Sequence, residues 1–126
     1  AIRTRDAEAM VRAAKEGQAV LATGYFRRMF PSSRLLRAII GSGVVGEPVR
    51  FDVEEGFVFD WPVASLGMMQ RESAGGGTLI DTGSHAIDQL MFFLPGPVEL
   101  IEYEDNARGG IEADCLMRLR ISYRGR

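Results

Sequence analysis

The sequence predicts an α+β (α/β) fold, a mainly antiparallel open sheet with helices packed on one face. Three observations predict it. Apolar residues recur at helical spacing over 5–16 and again over 79–94. They alternate with charged residues over 49–59 and 111–123, the pattern of a strand with one buried face. Turn-forming residues, Asn106 to Gly110, separate the last two strands and make them an antiparallel hairpin. Helices can cover only one face of such a sheet.

The composition permits this fold. Of 126 residues, 46% are hydrophobic and 25% charged, ordinary values for a globular chain. Disorder, collagen and coiled coil are excluded on the same ground. Fifteen basic groups against 17 acidic ones leave a net charge of −2, so no strong field favours nucleic acid or an acidic membrane. No apolar run approaches the ~20 residues of a membrane helix. The single cysteine, Cys115, cannot form an internal disulfide, which fits a reducing, cytoplasmic compartment. The chain starts at Ala1, and Met117 to Arg124 still read as a strand in progress. A piece of a longer protein is therefore expected.

Each element has a local reason. In helix 5–16, Ala7, Met10, Val11 and Ala14 form the apolar stripe; Thr4 or Asp6 is its expected cap and Gly17 its stop. Residues 19–25 read as a short strand. Pro31-Ser32-Ser33 opens a helix through Ile40 that Gly41 stops. In strand 49–59, Phe51, Val53, Phe57 and Phe59 share one face, and Arg50, Asp52 and Glu54 the other. Residues 60–74 lack a clean period and read as a long loop with a helical turn, a length more often functional than average. Gly75-Gly76-Gly77 leads into helix 79–94. In the last strand Ile111, Ala113, Cys115, Met117, Leu119, Ile121 and Tyr123 face the core, opposite Glu112, Asp114, Arg118, Arg120 and Arg124.

Gly41-Ser42-Gly43-Val44-Val45-Gly46 matches G-x-G-x-x-G in the wrong context. A dinucleotide loop follows a strand and opens a helix. This one follows a helix, and Glu47-Pro48 leads into a strand. The motif reads as a helix C-cap and a turn.

Helix 79–94 carries the candidate chemistry. At 100° per residue Asp81 lies at about 0°, His85 at about 40° and Asp88 at about −20°, one polar stripe. Leu79, Ile80, Ile87, Leu90, Met91, Phe93 and Leu94 surround it. Ionisable groups on so apolar a helix are paired or used. Asp81 stands where a capping box begun by Thr78 places an acid, and His85 can be a core histidine held by Asp81 or Asp88. The chemical reading is proton transfer, with a carboxylate one turn from an imidazole that titrates near neutrality. A lone histidine with no cysteine set disfavours zinc, so no metal is assigned. Asp60 and Trp61 can wall the same cleft; core packing is the other reading of Trp61.

Together with Gly24-Tyr25, Arg28, Pro31, Gly43 and Val45-Gly46-Glu47-Pro48, the segment GGGTLIDTGSHAIDQLMFFLPG (Gly75–Gly96) resembles the glucose–fructose oxidoreductase / inositol dehydrogenase / rhizopine-catabolism (Gfo/Idh/MocA) family. The resemblance implies that residues 1–28 are the last helix and strand of a nucleotide-binding Rossmann domain. It implies that residues 29–126 are part of a C-terminal substrate-binding and dimerisation domain. It further implies NAD or NADP as cofactor of the full-length parent, a sugar, cyclitol or related polyol as substrate, and a homodimer or higher oligomer through the sheet face. By the same resemblance Asp81 and His85 are catalytic, and Arg28 either lies near the cofactor or is a solvated or salt-bridged arginine; Asp60 and Trp61, as walls of the cleft, and Asp88, on the polar stripe, are assigned to substrate binding. The family's Glu-Lys-Pro lysine has no counterpart, since Lys15 is the chain's one lysine and matches neither motif position. The chain alone is therefore expected to be inactive. Two rival functions share the resemblance: a catalytically silent sensor or co-regulator, and NAD-dependent glycoside cleavage.

Overall fold

The computed structural model describes residues 1–56, 58, 60, 62 and 65–125. Along the chain run α1 (Thr4–Glu16), a 3₁₀ turn (Phe26–Met29), α2 (Pro31–Ser42), a second 3₁₀ turn (Leu66–Met69), the single-turn α3 (Arg71–Ala74), a π turn (Leu79–Gly83), α4 (Ser84–Phe93), and strands β1 (Val98–Asp105) and β2 (Cys115–Ile121). The two strands pair antiparallel as an open sheet, and the whole is a small α+β domain.

The core joins distant segments. Ile40 of α2, Phe93 of α4 and Leu94 are buried, and Phe51, Phe92, Ile121 and Tyr123 pack against them. Gln89 of α4 donates to the buried Ser33 hydroxyl of α2 at 2.8 Å, so the contact between these two helices is polar as well as apolar. Arg124 donates to the Gly41 carbonyl at 2.6 Å and ties the end of the chain to the last turn of α2.

α1 forms where helical spacing places it, but its caps differ. Arg3 is the N-cap, and neither Thr4 nor Asp6 caps through its side chain. Asp6 sits in the first turn, where a negative charge suits the helix dipole. At the other end Gly17 keeps a negative φ, and Gln18 takes the left-handed position with φ 50°. α2 runs past Gly41 and stops at Gly43, whose φ of 74° makes it the left-handed cap. The G-x-G-x-x-G segment is thus a helix end and a turn.

Two predicted strands do not form. Residues 19–25 are irregular, and so are 49–56; positions 57 and 59 of the second lie outside the described residues. A strand exists through hydrogen bonds to a neighbour, and among the described residues β1 and β2 pair only with each other. Alternation is a local property, whereas the pairing it anticipates is not. Phe51 still turns inward, stacking on Phe93 with ring centres 5.9 Å apart. The 60–74 stretch contains two short helical turns rather than one.

The hairpin is shorter than its alternation suggested. β2 begins at Cys115, and residues 106–114 form the connection. Asn106 holds it: its side-chain carbonyl accepts from the backbone N–H groups of Ala113 and Asp114, at 2.9 and 3.0 Å. A bulge falls between Leu100 and Glu102. It corrects the faces. Leu100 pairs with Leu119 and Tyr103 with Met117, while Glu99 pairs with Arg120 and Glu102 with Arg118. Without the extra residue Glu102 would share a face with Leu100. Both Glu–Arg pairs close as ion pairs, at 2.8 Å for Glu99–Arg120.

The connection also docks on the start of the π turn. Thr78 donates its backbone N–H to the Glu112 carbonyl at 2.9 Å. A Cβ on Gly77 would stand 1.8 Å from that carbonyl oxygen, so no other residue fits there. Gly77→Ala is expected to push the connection off the helix and to destabilise the protein by about 2–3 kcal/mol. The midpoint of denaturant unfolding measures it; an unchanged midpoint would show that this approach is dispensable.

Candidate active site

The predicted polar stripe lies across a change of helix type. Asp81 is on the π turn, and His85 and Asp88 are on α4. An i→i+5 turn holds more residues than an α turn and is frequent at functional sites. It turns Asp81 back relative to His85, so the 100° spacing used above does not carry across residues 79–83. At Gly83 a Cβ would meet the tip of the Leu79 side chain at 2.8 Å. Asp81 is exposed, and the Ser84 hydroxyl donates to its backbone carbonyl at 3.1 Å.

His85 is half-buried between two aromatic rings. Tyr25 meets the imidazole edge-on, with ring centres 5.5 Å apart and an interplanar angle of 89°. Phe26 meets it tilted, at 5.4 Å and 60°. Nδ1 of His85 is buried, and among the described residues no protein group reaches it; Thr82 Oγ1, three residues earlier, is in the same condition. Buried polar atoms nearly always have a partner, so these two are places where a ligand group or water belongs.

Asp88 does not hold His85. It is the buried carboxylate of the helix, 9% exposed, and both of its oxygens accept from Arg28: Oδ2 from Nε at 2.7 Å and Oδ1 from Nη2 at 2.5 Å. The hydrogen bond to Asp88 raises the pKa of the Arg28 guanidinium above its ordinary value, against partial desolvation. Arg28 also lies over the ring of Phe92, 5.6 Å from its centre, and Arg37 of α2 covers the same ring at 4.3 Å. The residues assigned above to cofactor (Arg28) and to substrate (Asp88) are therefore joined to each other. Asp60 is exposed in irregular chain, and among the described residues no hydrogen bond or ion pair links it to α4. Trp61 lies outside the described residues.

Sequence reasoning missed Glu112. Alternation assigned it to the charged outer face, yet it is 5% exposed. Its carboxylate accepts from the Leu79 backbone N–H at 3.0 Å, at a helix start where such donors are free. Burial pushes its pKa up, but the backbone N–H groups of Glu112 itself, Gly77 and Leu79 outweigh burial and hold it below 4.5. The available signal was the glycine run: Gly76 and Gly77 together leave room for another main chain and a carboxylate. Burial, and then Glu112, Asp114 and Asp105, push the Cys115 thiol up, away from the thiolate form.

Gly41–Gly46 closes a helix instead of opening one, and Nε and Nη2 of Arg28 are committed to Asp88. Among the described residues no group of three or more His, Cys, Asp or Glu is placed to hold a metal ion, and no helix is long and apolar enough to cross a membrane.

Comparison with known proteins adds what geometry alone does not. A family model described as the GFO/IDH/MocA C-terminal domain matches residues 33–123. The chain belongs to the GFO/IDH/MocA family. Over 113 residues it is 33% identical to a 1,5-anhydro-D-fructose reductase of Ensifer adhaerens, an alignment covering 89% of this chain. It spans 34% of that relative's length. No solved structure matches. The GFO/IDH/MocA match contains α4 and the Glu112 connection, whereas Tyr25, Phe26 and Arg28, which pack against α4, precede it.

The lowered pKa of Glu112 sets a pH dependence. A carboxylate whose folded pKa lies below its unfolded one stabilises fully above the unfolded value. The contribution is lost as pH falls through the folded value. Glu112→Gln is expected to cost about 1–3 kcal/mol at pH 7. The gap between variant and parent should narrow as pH falls below 4.5. Urea unfolding of both proteins at pH 7 and in acid tests this; a pH-independent gap would mean that the charge of Glu112 does not matter.

Proposed function

We propose that this chain forms the substrate side of an NAD(P)-dependent oxidoreductase acting on a sugar, cyclitol or related polyol. His85 and Asp81 are its acid/base pair. One observation carries the reading: a half-buried imidazole, caged by two aromatic rings, has a buried Nδ1 that no group among the described residues satisfies. Interconverting a carbonyl and an alcohol needs a hydride at carbon, which a nicotinamide supplies, and a proton at oxygen. His85 is the residue that gives or takes that proton. Asp81, on the exposed start of the same helix, binds a substrate hydroxyl or orients the exchange. The reductase name of the relative supports a sugar-like substrate.

Turnover is assigned to the full-length enzyme, because this chain spans 34% of the reductase's length. The family match beginning at residue 33 supports a boundary near residue 29, with residues 1–28 closing the nucleotide domain. The apolar side of the hairpin, where Leu100 is 58% exposed, is assigned to a second subunit. Leu100→Glu is then expected to shift the full-length protein toward monomer in sedimentation; an unchanged mass would remove the sheet from the interface.

The decisive variants are His85→Asn and Asp81→Asn in the full-length enzyme. Asn keeps a hydrogen-bonding group without a proton to exchange, so His85→Asn should lower kcat roughly 10²–10⁴-fold while cofactor affinity holds. Asp81→Asn should also slow turnover, and the double variant should lose less than the product of the two, as residues acting together do. Steady-state rates with chemistry limiting decide it. Wild-type turnover by His85→Asn would make His85 a structural histidine and favour the silent, ligand-sensing reading.

A further inference from the structure

We infer that the Arg28–Asp88 pair positions His85: it pins the Phe26–Met29 turn onto α4 and so holds Tyr25 and Phe26 against the imidazole. The inference rests on the proton-transfer reading of His85 and names two residues that act through it. Asp88 follows His85 by three positions on the same helix, one turn along the same face. Arg28 follows Phe26 by two positions in a tight 3₁₀ turn. An ion pair between them therefore fixes the distance between the histidine and the aromatic residues that cage it.

The form of the pair fixes the angle as well. A guanidinium fork meeting both carboxylate oxygens tolerates little rotation, unlike a lysine ammonium, which is a point charge. Phe92, under Arg28 and Arg37, closes the remaining side. Apolar burial does not hold the turn by itself: Phe26 is 55% and Met29 70% exposed. Asp88, in contrast, is nearly inaccessible, and a buried carboxylate demands its partner. The strong contact thus lies at Arg28, and the weak ones lie at the rings that touch His85. A proton donor must keep its geometry within about 0.5 Å and 10–20° of the productive one. A half-exposed ring provides this only when its backbone is held.

Asp88→Asn and Arg28→Lys, made in the full-length enzyme, test the device with two readouts. The first is the split between kcat and KM. The second is the NMR signals of the His85 ring protons, assigned by their loss in His85→Asn and sensitive to the facing rings of Tyr25 and Phe26. Asp88→Asn is expected to lower kcat roughly 10–100-fold with KM within about threefold, the size of effect that small misplacements produce. It should also move the His85 ring signals. Arg28→Lys, which keeps the charge and loses the fork, should do the same to a smaller degree, and it serves if Asp88→Asn does not fold. Unmoved ring signals in the folded variants would overturn the inference whatever the rates. So would moved signals with an unchanged kcat, provided that His85→Asn itself is slow. If His85→Asn is as fast as the parent, the proton-transfer reading fails instead, and with it this role for the pair.

Discussion

A buried carboxylate organises the middle of this molecule. Asp88 is 9% exposed on a largely apolar helix, and it is tolerable there only with a cation bonded to it. Arg28 supplies that cation from sixty residues earlier. The backbone carrying Arg28 must then run beside α4, which brings Tyr25 and Phe26 to His85. The same guanidinium shares the ring of Phe92 with Arg37, so α2 joins the arrangement. Removing the charge from Asp88 would release each of these contacts in turn.

A second constraint acts at the other end of the helix. Its first turn is wide, and it begins against the main chain of Glu112, where Gly77 leaves just enough space. The backbone N–H groups of a helix start attract a carboxylate, and Glu112 gives up solvent to reach them. The hairpin connection and the candidate site are consequently one mechanical unit. The bulge between Leu100 and Glu102 belongs to the same economy of faces, since it lets an imperfect alternation in β1 match the regular one in β2.

α1 and α2, the α4 helix, the hairpin and the helix-end character of Gly41–Gly46 were all legible in the chain. They depend on period, caps and turn residues that act within a few positions. The candidate pair Asp81 and His85 was legible for the same reason, as polar residues on an apolar helix. Residues 19–25 and 49–56 show the reverse. Their alternation is strand-like, but a strand is a relation between two segments, and a single segment's pattern does not contain its neighbour.

By itself the sequence determined the fold class, the apolar helical segment that bears Asp81, His85 and Asp88, the family and the helix-end character of Gly41–Gly46. Only the tertiary structure decided who partners whom. It gave Asp88 to Arg28 and left His85 Nδ1 without a partner among the described residues. It also buried Glu112, which alternation had placed outside. The physical reason is range. Hydrophobic period and turn chemistry are local and survive in a string of letters. Desolvating a charge or fitting a main chain against a glycine depends on atoms brought together from opposite ends of the chain.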